Sequence, residues 1–436
     1  MERNDAIEIF TSAVTSVHPA QLLPSFFAVK EGSIYIGQQQ FPLSSIQHIY
    51  IIGAGKAAAA MAEATERILG DYITEGLVTT KYHHTLPCKR IKIIEAAHPV
   101  PDENGVEAVR KTMKVLEKAG KDDIVICLIS GGASALWCDI PQGITLGEMQ
   151  ATFDALIRSG AAIDEINTVR KHLSQLKGGQ LTSHCHGAKV FSLVVSDVPG
   201  DLMDVIASGP TVPDPSTYQD AFHILEKYNL LAILPQNILT HIDRGIKGII
   251  AETPKPGDQL FINSYHKIIG NNVMALEAAA KKAKALGYHV HIIDHIITGD
   301  ATSEAKKLMN FVLEYRGPKP SCILQGGETT VTVTGKGKGG RNQHFVLAAL
   351  KELKKLPEDI IFNNITVLSG GTDGTDGPTD AAGAVADLKT LSGVDLSIDV
   401  YLDNHDAYHF FEKTGGLLMT GPTQTNVMDI MMVILQ

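Results

Sequence analysis

Five glycine-rich segments gather the residue types that could do chemistry. IIGAGKAAAAMAEA (Ile51–Ala64) sets Gly53, Gly55 and Lys56 between an apolar run and an alanine-rich one. If the second run is a helix, Lys56 stands near its N-terminus, where dipole and unpaired amides already favour an anion. The spacing Gly53-x-Gly55-x-x-Ala58 also fits a dinucleotide fingerprint, and a tight turn with a surface lysine is the plainer alternative. LISGGASALW (Leu128–Trp137) places Ser130, Gly131, Gly132 and Ser134 where backbone N–H groups could bind phosphate oxygens. A purely structural Gly-Gly turn reads those residues equally well. VVSDVPGD (Val194–Asp201) puts Asp197 just past an apolar run, as a base or metal ligand, with an N-cap as the alternative.

The last two segments carry the densest charge. GGETTVTVTGKGKGGRNQH (Gly326–His344) contains Glu328, then Gly335, Gly337, Gly339 and Gly340 interleaved with Lys336 and Lys338, then Arg341 and Asn342. Glycine loses much backbone entropy on ordering, so this composition fits a mobile cationic loop closing over phosphates, or a disordered hairpin. LSGGTDGTDGPTDAAGA (Leu368–Ala384) spaces Asp373, Asp376 and Asp380 among small residues. Hard oxygens in a flexible loop suit Mg²⁺, which takes one or two carboxylates plus substrate phosphates. Phosphoryl transfer needs these parts: held cations, backbone donors and a few carboxylates. Asp373 and Asp376 are the expected Mg²⁺ ligands and Glu328 a weaker one. Asp197 is the candidate base.

These loops need rigid elements behind them. HIYIIG, EGLVTT, IKIIEAA, DIVICLIS and KVFSLVV read as strands, and Ala57–Leu69, Asn104–Ala119, Leu146–Ser159 and Ile163–Leu176 as helices. Continuous apolar strands alternating with helices predict a parallel sheet covered on both faces, a three-layer αβα arrangement. The polar, Pro/Gly-containing stretch Asp243–Gln259 divides the chain into domains over 1–245 and 260–436. Beyond it, KIIGN, YHVHII, SCILQ, TTVTV, NITVLSG and MDIMMVIL read as strands, and Val273–Leu286 as a helix with Asn272 as N-cap. The alternation of Thr330–Thr334 predicts a strand with one solvated face, so the C-terminal α/β domain has a mixed sheet.

Composition narrows the class. The 436 residues are 44% hydrophobic, with a formal net charge of −10, so no basic face for nucleic acid is expected. No run is long and apolar enough for a membrane span, and the acidic start of the sequence leads us to expect no signal peptide. Five scattered cysteines fit a reducing cytoplasm. The histidines of SHCHG and His289-x-His291 lack matching ligands at zinc spacing.

Taken together, GAGKAAAAMA, HPVPDENG, ISGGASAL, NTVRKHLSQLKGGQL, SDVPGD, IASGPTVPDPST, GGETTVTVTGKGKGGRNQ, SGGTDGTDGPTDAAGAV and TGPTQTNVMDI resemble the glycerate 2-kinase family, whose C-terminal half is the MOFRL domain. The resemblance implies two α/β domains with the active site in the cleft between them. It implies ATP, Mg²⁺ and phosphorylation of D-glycerate at the 2-hydroxyl, with Lys56 and Arg341 as active-site cations. ATP phosphates would lie near Gly55, Gly131, Gly132, Lys338, Gly339, Gly340 and Asn342. A homodimer is a candidate assembly. Members are often labelled hydroxypyruvate reductases, and a nicotinamide-dependent reductase is the rival reading; a non-enzymatic sugar-acid sensor is the second. Against the reductase, the strand after the glycine fingerprint ends in Thr80 and Lys81 rather than an acid for ribose. The chain departs from the family at Ala133, at His344 and over Gly299–Ala305.

Overall fold

The structure, a computed structural model, describes residues 2–355, 365–392 and 395–436. The chain folds as two compact units: Leu22–Ile269, and Gly270–Gln436 together with Met1–Gln21. This division differs from the expected 1–245 and 260–436 at both ends. The segment after Asp243 is bound into the first unit, where Thr253 Oγ1 donates to the buried Asp214 carboxylate at 3.0 Å. The strand Ser264–Gly270 is then the outermost of that unit's sheet. The first helix, Glu2–Ser16, buries Ile9, Phe10 and Ala13 within the second unit. There the Tyr288 hydroxyl donates to Asp5 at 2.6 Å, and Lys282 pairs with Glu8.

In the first unit the sheet order is Ile91–Ala96, Glu75–Lys81, Ile49–Ala54, Ile124–Ser130, Lys189–Val195, Ser264–Gly270. The first five strands run parallel. Ile49–Ala54 and Ile124–Ser130 are buried along their whole length, which is why they read as unbroken apolar runs. The chain builds outward to one side of Ile49–Ala54, then returns to its other side with Ile124–Ser130. The carboxyl ends of these two strands therefore form a topological switch point, where open α/β sheets bind ligands.

The helices follow their end signals. Asp102 caps Glu103–Leu116 by accepting from Gly105 N–H at 3.1 Å, and a Thr145–Glu148 capping box opens Leu146–Arg158. Ile163–His172 stops short of Leu176 because the amides of Gln175 and Leu176 donate to the buried Asp139 carboxylate instead. Leu146–Arg158, Ile163–His172, Tyr218–Lys227 and Gln236–Ile246 enclose a second core around Leu156, Val169, Leu225 and Ile238, apart from the sheet's own. A small antiparallel sheet of Phe27–Lys30, Ser33–Ile36 and Gln39–Pro42 was not legible in the sequence.

The second unit has the expected mixed sheet. Asp429–Leu435 lies centrally, antiparallel to both Ser321–Thr330 and Ile365–Gly371. His289–Ile292 and Ile297–Asp300 pair parallel with Ser321–Thr330, and Gly383–Ala386 and Leu417–Leu418 continue the other side. Two local expectations are corrected. TTVTV is no separate strand: Thr329 and Thr330 end the strand begun at Ser321, and Val331–Thr334 are irregular. The N-cap of Asn272–Ala285 is Asn271, whose side chain accepts from Met274 N–H at 3.0 Å. Asn272 is instead buried, donating to the carbonyls of Val427 and Asp429. Asn364, first residue of the expected NITVLSG strand, lies outside the described residues.

Candidate active site

At the first unit's switch point the two glycine loops lie against each other. Lys56 N–H donates to the Gly131 carbonyl, and Ala57 N–H to Ser130 Oγ, both at 2.9 Å. Gly55 has φ +136°, and a Cβ there would overlap Ser130, so this glycine is required by close approach and backbone twist. Gly132 has φ +84°, and a Cβ there would stand 2.9 Å from the His98 imidazole and 3.5 Å from Lys56 Cγ. The structure thus brings Lys56, His98 and Gly131–Gly132 together. Ser130 is fully buried and holds the loop from within, so it does not reach a ligand. Ser134 Oγ instead meets Ser208 Oγ at 3.1 Å. Ala133–Leu136 is a single turn, too short to carry a helix-dipole anion site. Asp197 follows the strand Lys189–Val195, half-buried at the same end of the sheet.

Where a dinucleotide enzyme carries its ribose acid, the strand Glu75–Lys81 has Thr80, whose hydroxyl donates to the Gly55 carbonyl at 3.1 Å. The Gly-x-Gly-x-x-Ala pattern is explained by this packing and needs no dinucleotide.

In the second unit Asp429 opens the central strand, in register with Gly327 on one side and Gly371 on the other. Its fully buried carboxylate binds Arg341 in bidentate fashion, with Nε at 2.5 Å and Nη2 at 2.8 Å. Arg341 Nη1 pairs with Glu328 at 3.2 Å. Burial opposes the charge on Arg341, but Asp429 and then Glu328 outweigh it and hold the guanidinium firmly protonated. Asp429 therefore takes the Nε and Nη2 side of the guanidinium fork. The Nη1 edge is shared with Glu328, and both residues line a cavity. A Cβ on Gly371 would stand 3.3 Å from Asp373 Oδ1 and 3.4 Å from Asp429 Oδ1, so Asp373 joins the group. Sequence reasoning missed Asp429, although a lone acid leading a run as apolar as DIMMVIL was a signal. It also left His98 unassigned.

The other acids of the aspartate loop hold structure. Asp376 is fully buried and accepts from Asn342 N–H at 3.0 Å and Gln343 N–H at 2.8 Å. It caps the helix Arg341–Lys354, whose own N-cap, Gly340, has no side chain. Burial, working against those amide bonds, pushes its pKa up to about 7. With both oxygens on helix amides, Asp376 does not fit as a metal ligand. Asp380 accepts from the Tyr408 hydroxyl at 2.8 Å. Asn342 is buried, its Oδ1 accepting from Ser369 Oγ at 2.5 Å. Asp376→Ala is expected to lower folding stability by roughly 1–3 kcal/mol, the cost of leaving buried amides unpaired. Urea denaturation measures this, and an unchanged midpoint would remove the capping role.

The lysine–glycine loop is held rather than loose. Gly337 N–H donates to the Asn404 carbonyl at 2.9 Å, and Lys338 N–H to Asp406 at 2.9 Å. A Cβ on Gly335 or Gly337 would overlap the Asn404 backbone, and one on Gly340 would overlap Asp376. Close approach explains these glycines; Gly339 makes only ordinary contacts. Lys338 Nζ sits 3.9 Å from the Tyr408 ring centroid. Glu328, Gly339, Gly340 and Arg341 line a cavity of about 400 Å³ with His344 and His405. His344 is buried and held neutral, its pKa pushed down to about 4 by burial and then by His405. Among the described residues no group of three or more His, Cys, Asp or Glu is placed to hold a metal ion. Asp373 Oδ1 accepts from Thr375 N–H at 3.0 Å and from its hydroxyl at 3.1 Å, and Glu328 is paired with Arg341.

No helix among the described residues is long and apolar enough to cross a membrane. Residues 5–243 match the profile of a domain of unknown function, DUF4147, and residues 321–429 match the MOFRL family. The chain is 38% identical to a glycerate 2-kinase of Pyrococcus horikoshii, over 99% of its own length and 97% of the relative's. A relative from Agrobacterium vitis, 40% identical over 88% of this chain and 86% of its own, is named provisionally a hydroxypyruvate reductase. The crystal structure of a glycerate kinase from Thermotoga maritima superposes with a TM-score of 0.84 at 37% identity, covering 100% of this chain and 99% of that one. With full-length kinship in sequence and fold, and both profiles in order, the chain belongs to the MOFRL-domain glycerate kinase family.

Proposed function

We propose that this protein transfers the γ-phosphoryl group of ATP to the 2-hydroxyl of D-glycerate. The observation that carries the reading is Lys56, fixed at the switch point beside Gly131–Gly132 with Thr80 where a dinucleotide enzyme needs an acid. A cation over a glycine loop serves phosphate or carboxylate oxygens, and Thr80 leaves the ribose of a nicotinamide cofactor without its acid. Lys56 neutralises the phosphoryl group in flight, and Arg341, oriented by Asp429, offers its Nη1 edge to substrate charge. Asp197 accepts the proton of the 2-hydroxyl as the new P–O bond forms and ADP leaves. The backbone around Gly55, Gly131 and Gly132 serves the ATP phosphates. Mg²⁺ arriving with ATP would be held by Asp373 and Glu328 and would supply further neutralisation of phosphate charge.

Phosphorus NMR after incubation with ATP, Mg²⁺ and D-glycerate is expected to show ADP and 2-phosphoglycerate. Hydroxypyruvate-dependent NADPH oxidation with no ADP formed would overturn the reading. Asp373→Asn is expected to raise the Mg²⁺ needed for half-maximal rate severalfold, because Mg²⁺ has few protein ligands to lose. Asp376→Ala is expected to leave that titration in place. The reverse pattern would exchange the two roles.

A further inference from the structure

The first unit contains a second cavity, of about 490 Å³, which none of the roles above uses. It opens between the loop ends of the sheet, at Pro99–Pro101 and Ser134–Asp139, and the helical cluster, at Met149, Phe153 and Leu173. Val100 and Ile157 also line it, yet are 61% and 59% exposed, large apolar side chains left in water at a rim. A three-carbon acid would fill only a fraction of this space. Cavities of roughly 300–1,000 Å³ with apolar walls and a few polar groups take larger organic ligands.

Three cations line the cavity, and two are matched. Lys177 pairs with Asp139 at 2.9 Å and donates to the Trp137 carbonyl, and Arg158 pairs with Asp154 at 2.8 Å. Arg170 is half-buried and has no carboxylate partner among the described residues. Its guanidinium lies 5.2 Å from the Phe153 ring centroid, and Nη1 reaches Asn167 Oδ1 at 3.4 Å. Burial without a counter-charge lowers its pKa. An unpaired charge in such a place is costly unless a ligand brings the opposite one. A polar chain runs from Arg170 back toward the phosphate loop. Asn167 Oδ1 also accepts from Ser208 Oγ at 3.0 Å, and Ser208 Oγ meets Ser134 Oγ at 3.1 Å. Ser208 and its neighbour Ala207 hold left-handed φ values of 57° and 55°, a strained backbone of the kind that collects at ligand sites.

We propose that this cavity is the nucleoside subsite. The base and ribose of ATP lie on the Met149–Phe153–Leu173 wall, and Arg170 neutralises the phosphate chain as it passes Ser134 toward Gly131–Gly132. This rests on the phosphotransferase reading but makes a separate claim, that nucleotide and not glycerate occupies the cavity. The test compares Arg170→Met with Ala151→Trp, which places a ring at the cavity wall from an exposed helix position. Calorimetry with the non-hydrolysable analogue AMP-PNP measures nucleotide affinity, and steady-state kinetics give KM for D-glycerate. Each variant is expected to weaken AMP-PNP at least about tenfold, the scale of one charge-assisted contact or a blocked pocket. KM for glycerate is expected to hold within about twofold.

Unchanged AMP-PNP affinity in folded Ala151→Trp would overturn the proposal even if Arg170→Met failed to fold. A raised glycerate KM with unchanged AMP-PNP affinity would overturn it too, by giving the cavity to the acid. Loss of AMP-PNP binding in both variants of a wild-type protein that makes no phosphoglycerate would support the subsite while removing the glycerate kinase reading.

Discussion

Arg341→Ala is expected to cost both stability and turnover, and the two losses can be separated. Asp429 is fully buried, and Arg341 is the cation bonded to its carboxylate among the described residues. Removing one member of a buried pair leaves the other desolvated and uncompensated, which costs about 3–5 kcal/mol. The discriminating variant is Arg341→Met combined with Asp429→Leu. Replacing a buried ion pair by apolar groups of similar volume is often neutral, so the double variant is expected to recover stability to within about 1–2 kcal/mol of wild type. Its kcat/KM is expected to stay down by about 10²-fold or more, the scale of one lost electrostatic contact in a transition state. Denaturation midpoints and initial rates on both variants suffice. Full activity in a stable double variant would make Arg341 a purely structural residue.

Buried parallel strands were legible because both faces are covered, so apolarity alone marks Ile49–Ala54 and Ile124–Ser130. The placement of Lys56 between strand and helix followed from the same runs. The partner of Arg341 did not, because Asp429 is 88 residues away and reaches it only through strand order. The last strand had to lie centrally before its first residue could face the arginine. Asp376 was misread for a similar reason. A helix whose N-cap is glycine leaves its amides to be capped from elsewhere, and an aspartate doing so from a distant loop looks in sequence like a metal ligand. The glycines between Thr334 and Arg341 were read as mobility. The Cβ positions of Gly335, Gly337 and Gly340 are filled instead by Asn404, Asp406 and Asp376, contacts that no local pattern encodes.

Lys56→Ala is expected to lower kcat/KM by about 10²–10³-fold with little effect on folding. The backbone bonds that hold the loop do not involve this side chain. Lys56 N–H and Ala57 N–H are bonded to Gly131 and Ser130, and Gly55 supplies the backbone twist, none of which the substitution alters. What is lost is a charge at the carboxyl end of two buried strands, next to His98 and Gly132. Charge near the start of Ala58–Leu69 adds to the field of that helix's first amides, so the effect should appear where negative charge is rearranged, in turnover more than in glycerate binding. Lys56→Arg tests geometry, because a planar fork needs more room than an ammonium and Gly132 leaves little. It is expected to recover only part of the rate. A melting temperature unchanged in Lys56→Ala, with kcat/KM down, assigns the residue to chemistry. Full kcat/KM would remove it from the site. Adding Lys56→Ala to the stable Arg341→Met/Asp429→Leu protein gives the last reading. If both cations serve one phosphoryl transfer, the combined loss falls short of the product of the separate losses.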